Sequence, residues 1–292
     1  MLATRALTPV ARLLLALQAL LVLTGGAVRV TGSGLGCPTW PECTSESYFP
    51  VEGQAEGAFH AWIEFGNRLL TFALLFAAIA MIAVVLRAGR RDLRLLALAQ
   101  IAGIFGQGIL GGITVLTKLN PISVASHFIL SIILIAAAQS LLTRIRFTKI
   151  NQPAKSNYLT FHTALTFLVI VAGTLVTGAG PHAGDSETPR LDIHVPLVAG
   201  IHGYLVVALI LLTLAGIYKK FNNFADSTQR LLSIFLGITL AQGVIGYAQY
   251  LLGVPEELVV LHLLGSSILW IAAWRVRLTQ FYIFHNENSS HK

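Results

Sequence analysis

Charge is what this sequence most lacks. Of its 292 residues only 11% are Asp, Glu, Lys or Arg, while 55% are hydrophobic and the mean hydropathy is +0.72. A soluble domain is about a quarter charged, so an ordinary soluble globule is excluded, as are a disordered chain and a collagen-like chain. Cysteine is nearly absent too. Two residues cannot build a disulfide-rich scaffold or a zinc-finger array. Basic residues outnumber acids by 20 to 13, but they are scattered between apolar runs and form no basic face. No nucleic-acid partner is expected, and the cations read as topology signals.

What the sequence does have is long apolar runs. Eight can be marked, at about 10–30, 61–86, 95–117, 122–143, 158–178, 195–218, 231–253 and 258–276. Each is long enough to cross a hydrocarbon core of about 30 Å as a helix, which satisfies its own backbone hydrogen bonds. The first follows Arg5 and Arg12, as a signal peptide would, but it is too long for a signal h-region and further spans follow, so a retained signal-anchor is expected. Sixteen of the 20 Lys and Arg residues, among them Arg87, Arg90, Arg91, Arg94, Lys219, Lys220 and Lys292, fall on one side. Only Arg29, Arg68, Lys118 and Arg190 fall on the other. The positive-inside rule then puts both termini in the cytoplasm of a multi-pass cell-membrane protein whose first partner is the lipid bilayer.

This topology leaves two long outer loops. One, at about 31–60, contains Cys37-Pro-Thr-Trp-Pro-Glu-Cys43. The other, at about 179–194, contains Gly180-Pro-His-Ala-Gly-Asp185. Both cysteines face an oxidising side, so a disulfide between them is expected. It can be a structural staple or a redox-active pair that relays electrons during turnover.

An internal repeat organises the chain. Gln107-Gly-Ile-Leu-Gly111 matches Gln242-Gly-Val-Ile-Gly246 at an offset of 135, and the same offset pairs His127 with His262 and Asn67 with His202. Val30-Thr-Gly-Ser-Gly34 resembles Val176-Thr-Gly-Ala-Gly180 at 146, because the first outer loop is longer. Four helices per unit is an even number, so both units have the same orientation. The expected fold is an all-α integral membrane protein of eight transmembrane helices in two pseudo-symmetric four-helix bundles. These are parallel repeats, residues 1–150 and 151–292, about an axis along the membrane normal.

Asn67, His127, His202 and His262 sit about four to seven residues into even-numbered helices that begin on the outer side, which is roughly 6–11 Å deep. One intramembrane histidine is usually a helix-to-helix hydrogen bond. Two at matched depth on facing helices, His202 and His262, suit bis-histidine haem ligation. Zinc would need further ligands, and proton relay is the other use of such groups. Arg29 and Arg68, at outer helix ends, can pair with haem propionates or snorkel to the interface. Glu64 breaks the symmetry, because its repeat partner is Ala199. It stands three residues before Asn67, on nearly the same face and about 4.5 Å further out. Two readings stay open for it: a structural pair with His60 or Arg68, or an acid/base or charge-stabilising group beside the first-half ligand. His162 reads as packing, His182 and His194 as loop residues, and His285 and His291 as tail.

Taken together, the Gly-Leu-Gly-Cys-Pro-Thr-Trp-Pro-Glu-Cys loop, Ile-Glu-Phe-Gly-Asn-Arg, Thr-Gly-Ala-Gly-Pro-His-Ala-Gly-Asp and the paired helix histidines resemble the haem A synthase family over all eight spans. The resemblance implies an oxidoreductase that converts the C8 methyl of haem O to a formyl group, giving haem A for terminal oxidases. It implies a structural haem B in the second half with axial ligands His202 and His262, and a substrate haem in the first half held by His127, with Asn67, Arg68 and Arg29 lining the pocket. Glu64 would match the catalytic glutamate, and Cys37 and Cys43 the family disulfide. A haem O synthase that hands over the substrate and a second copy of the chain are the protein partners this leaves open. One position departs: the family pattern Glu-x-x-His-Arg reads Glu64-Phe-Gly-Asn67-Arg68 here. Two other functions compete. A di-haem transmembrane electron carrier would want bis-histidine sites in both halves and no unpaired glutamate. A transporter would more often show helices broken near mid-membrane.

Overall fold

The computed structural model describes residues 2–151, 153, 155–185, 188–218 and 224–284; Lys219, Lys220, His285, Glu287, His291 and Lys292 lie outside the described residues. Every apolar run becomes a helix: α1 Leu2–Val30, α2 Ala58–Arg87, α3 Arg94–Leu116, α4 Pro121–Arg146, α5 Asn157–Ala179, α6 Val195–Ile217, α7 Asp226–Leu251 and α8 Glu256–Leu278. Among the described residues these eight helices are long and apolar enough to cross a membrane. The largest difference from the sequence reading is at α1. It starts at Leu2, so Arg5 and Arg12 lie on the helix rather than ahead of it, and Pro9 is accommodated in its second turn. A short 3-10 turn, Arg91–Leu93, leads into α3.

Helices α1 to α4 close on one another through α1–α2, α2–α3, α3–α4 and α1–α4 contacts, and α5 to α8 do the same through α5–α6, α6–α7, α7–α8 and α5–α8. Across the middle, α1 packs on α8, α4 on α8 and α4 on α5. Trp270 and Trp274 of α8 anchor this seam by donating their indole N–H groups to the Ile132 carbonyl at 2.8 Å and to Ser140 Oγ at 2.7 Å. One apolar core, with Ile132, Leu209, Leu232, Phe235 and Ala273, runs through the seam and the second half. Another, with Leu14, Ala78, Met81, Ala97 and Leu141, fills the first. Inside the first, Gln18 donates to Gln100, which donates to the Leu134 carbonyl, so the polar groups of three helices satisfy one another. Outward faces carry large apolar side chains such as Phe76, Leu95 and Tyr204, which remain exposed as a lipid-facing surface requires.

The turns that enter α4 and α8 are built alike. Lys118 and Leu119 have φ of 50° and 58°, and Gly253 and Val254 have 74° and 65°. Leu119 N–H donates to the Thr114 carbonyl and Val254 N–H to Gln249, each at 2.8 Å. A left-handed Val is an outlier for a β-branched residue. These turns set the level at which α4 and α8 begin, and so the depth of His127 and His262. On the opposite end, Thr148–Lys149 pairs antiparallel with Tyr282–Ile283. Two-residue strands carry no periodicity, so no pattern in the chain marks this pairing.

Candidate functional site

The second half brings two predicted residues together. His202 is the eighth residue of α6 and His262 the seventh of α8. Their ring centroids are 6.5 Å apart with the planes at 75°. His202 Nδ1 lies 3.0 Å from the Val169 carbonyl of α5. A carbonyl oxygen only accepts, so Nδ1 carries the proton there and Nε2 is the nitrogen left free. A metal–imidazole bond is about 2 Å and the ring centre lies about 1 Å behind the nitrogen, so two imidazoles sharing one iron have centroids roughly 6–6.5 Å apart. The pair therefore has the spacing for bis-histidine haem ligation. Among the described residues no three His, Cys, Asp or Glu side chains converge as a bare-metal site would require.

Each histidine of this kind lies against a glycine. A Cβ on Gly173 would stand 3.4 Å from His202 Cε1, and one on Gly246 would stand 3.3 Å from His262 Cε1. In the first half, a Cβ on Gly111 would stand 3.4 Å from His127 Cε1. Gly111 and Gly246 are the last residues of the repeated Gln-Gly-x-x-Gly segments. The repeat was visible in sequence, but its use as a seat for a ring on the next helix was not. Gln107, at the head of the first segment, donates to the His127 carbonyl at 3.2 Å and to Ser131 Oγ at 2.6 Å, tying α3 to α4. His127 Nδ1 is buried with no hydrogen-bond partner among the described residues.

Asn67, paired with His202 by the sequence offset of 135, rests on different support. Thr24 Oγ1 of α1 donates to Asn67 Oδ1 at 2.7 Å, whereas His202 leans on a backbone carbonyl of α5. Thr24 was not singled out in the sequence, and nothing local marks a contact between residues 43 apart.

Glu64 is buried, and its carboxylate is engaged on both oxygens. Oε1 accepts from Arg68 at 2.7 and 3.2 Å, and Oε2 accepts the Cys37 N–H at 2.6 Å. Of the two structural partners the sequence left open, Arg68 is the one found. His60 instead meets Ser33 through Nδ1 at 2.9 Å. Arg68 also donates to the carbonyls of Cys37, Thr39, Pro41 and Glu42, at 2.9 to 3.4 Å, so all three of its nitrogens are engaged. Cys37 and Cys43 form a disulfide, fully buried on Phe65. Arg29 donates to the carbonyls of Thr177 and His182, and Gly34 N–H donates to the Gly184 carbonyl. The second long loop, between α5 and α6, is thereby fixed to the end of α1. His182 in turn reaches the Val254 carbonyl before α8 at 2.7 Å.

With this arrangement in view, a family profile described as COX15-CtaA, cytochrome oxidase assembly protein, matches residues 10–187. The chain belongs to that family. The matched stretch runs from within α1 through α5 into the second long loop, so it includes the Cys loop, Glu64, Asn67, Arg68 and His127. The chain is also similar to a protein named Heme A synthase from Shewanella oneidensis, at 24% identity over 97% of this chain and 98% of the relative. One of the same name from Brucella anthropi is 25% identical over 87% of each. One from Geobacillus thermodenitrificans is 33% identical over a shorter stretch, 38% of this chain and 34% of the relative. The first alignment extends through α6 to α8, where His202 and His262 lie.

Proposed function

We propose that this cytochrome oxidase assembly protein is a haem A synthase, an integral-membrane oxidoreductase that takes haem O as substrate, oxidises its C8 methyl to a formyl group and releases haem A. The 6.5 Å separation of the His202 and His262 rings carries the reading of a haem site, and the full-length likeness to proteins named Heme A synthase carries the reaction. The second half holds a resident haem B, which supplies reversible one-electron chemistry when bound. His202 and His262 would hold its iron, with Val169 orienting the first and Gly173 and Gly246 leaving the rings room to approach.

The first half takes the substrate haem on His127, with Asn67 opposite and Arg29 and Arg68 supplying positive charge at the outer rim. Glu64 is the catalytic carboxylate. A carboxylate has about four acceptor positions, and Arg68 and Cys37 occupy three of them, which leaves capacity to hold a proton or water beside the reacting methyl. A di-haem carrier has no use for this asymmetry between the halves. The halves, 1–150 and 151–292, are parallel repeats. Exchanging α1 with α5 and α4 with α8 maps the observed set of contacts at the seam onto itself, which supports that arrangement. Both termini are cytoplasmic, which puts the Cys loop outside and leaves the inner side open to a haem O synthase or a second copy.

The test is haem analysis. Membranes from cells that make haem O but not haem A, with and without this chain, are extracted and their haems resolved by mass spectrometry. Haem A appearing only with the chain supports the proposal, and unchanged haem O overturns it.

A further inference from the structure

We infer that the Cys37–Cys43 loop is a lid on the first-half haem site, and that Arg68 and Trp40 are the residues that position it. The inference rests on the reading that His127 holds the substrate haem there. On the α2 side, the Arg68 guanidinium donates to four loop carbonyls as well as to Glu64. A planar fork of five N–H donors suits this in a way that a lysine ammonium would not. The disulfide itself rests on Phe65 of the same helix. Gly36 lies so close to the backbone at His60 and Ala61 that it has no room for a side chain.

From that anchor the loop reaches across to α3. The Trp40 indole lies directly on Gly112: a Cβ there would come within 2.6 Å of Cδ2 and 2.8 Å of Cε2. Gly112 follows Gly111, against which His127 lies. The loop therefore bridges α2 and α3 at the level of the proposed ligand, and one of its backbone N–H groups, that of Cys37, holds Glu64. A loop seated this way sets both the position of the carboxylate and the access of outer water to the pocket. Trp40 and Arg68 act through the lid, as positioning residues.

The experiment uses the full chain, loaded with haem, in lipid nanodiscs, with Gly112→Ala, Trp40→Ala, the double variant, Arg68→Lys and, as the control on the site itself, His127→Ala. Two quantities are read: the rate at which the phosphine reductant TCEP opens the Cys37–Cys43 bond, followed by thiol labelling, and the ratio of haem A to haem O in membranes. Gly112→Ala pushes the indole off its seat. It is expected to raise the reduction rate severalfold and lower the haem ratio severalfold, with the second-half low-spin spectrum unchanged. Because Gly112 acts only through Trp40, the double variant should match Trp40→Ala alone, as coupled neighbours do. Arg68→Lys should show both changes, since one ammonium cannot reach four carbonyls and Glu64.

Additive effects of Gly112→Ala and Trp40→Ala, or loss of the second-half spectrum in either, overturn the lid. A faster reduction with an unchanged haem ratio overturns its functional role and leaves the haem site standing. An unchanged haem ratio in His127→Ala overturns the first-half site itself, and the lid's role with it.

Discussion

Asn67→His is the most direct probe of how the two halves differ. In the second half, His202 Nδ1 is 3.0 Å from the Val169 carbonyl and its ring faces His262 with centroids 6.5 Å apart. In the first half, Asn67 Oδ1 meets Thr24 Oγ1 at 2.7 Å. Oδ1 of asparagine and Nδ1 of histidine are both bonded to Cγ, so an introduced imidazole can place Nδ1 where Oδ1 now sits and donate its N–H to Thr24 Oγ1. The Thr24 hydroxyl then turns its own proton to the Leu20 carbonyl, already within 3.1 Å. Nε2 is left free to become a second axial ligand opposite His127. Loss of such a supporting hydrogen bond typically costs a metal-ligand site about 10- to 100-fold in affinity.

The unmutated protein loaded with substrate haem should show one low-spin component, from the second half, and one high-spin component, from a first-half haem held by His127 alone, because an amide is a poor iron ligand beside imidazole. Asn67→His should convert the high-spin component to low-spin, and Thr24→Val added to it should weaken that conversion by roughly 10- to 100-fold in haem affinity. Electron paramagnetic resonance and optical spectra read both. Two fully low-spin haems in the unmutated protein, one of them lost on His60→Ala, would refute the reasoning. So would an Asn67→His protein whose high-spin signal persists.

His202→Ala or His262→Ala should abolish the low-spin haem B spectrum while the first-half signal survives, and two single variants with unaltered spectra would remove the assignment. Gly246→Ala sets a methyl 3.3 Å from His262 Cε1, so the low-spin resonance should shift without disappearing, and an unmoved resonance would show that the ring does not bear on this seat. Glu64→Ala leaves the Cys37 N–H without its acceptor, at about 1–3 kcal/mol, while Arg68 keeps its four carbonyls. Haem A output should fall sharply with the second-half haem retained, and normal output would reduce Glu64 to a structural group. A membrane-impermeant thiol reagent should label Cys37 and Cys43 in intact cells only after reduction, whereas labelling confined to broken cells would reverse the topology.

Sequence alone determined the architecture, because in a bilayer composition leaves little choice: a run of about 20 apolar residues must form a helix to satisfy its backbone. Eight such runs gave eight helices, and a recurrence at 135 residues picked out His127, His262, Asn67 and His202 before any contact was known. Local chemistry also marked Cys37 and Cys43, whose expected placement on an oxidising side pointed to the bond that the structure contains. What tertiary structure decided is which groups those residues meet. In sequence Arg68 suits a propionate, the interface or Glu64, and its place beside Asn67 favours the haem; its other partners are backbone carbonyls, which every residue carries and no pattern advertises. Thr24 meets Asn67 across 43 residues and Trp40 meets Gly112 across two helices. The glycines beneath the three histidines matter through an absent side chain on a neighbouring helix. Such contacts are fixed by how helices pack, and packing depends on many weak, distant preferences at once rather than on the period of any one segment.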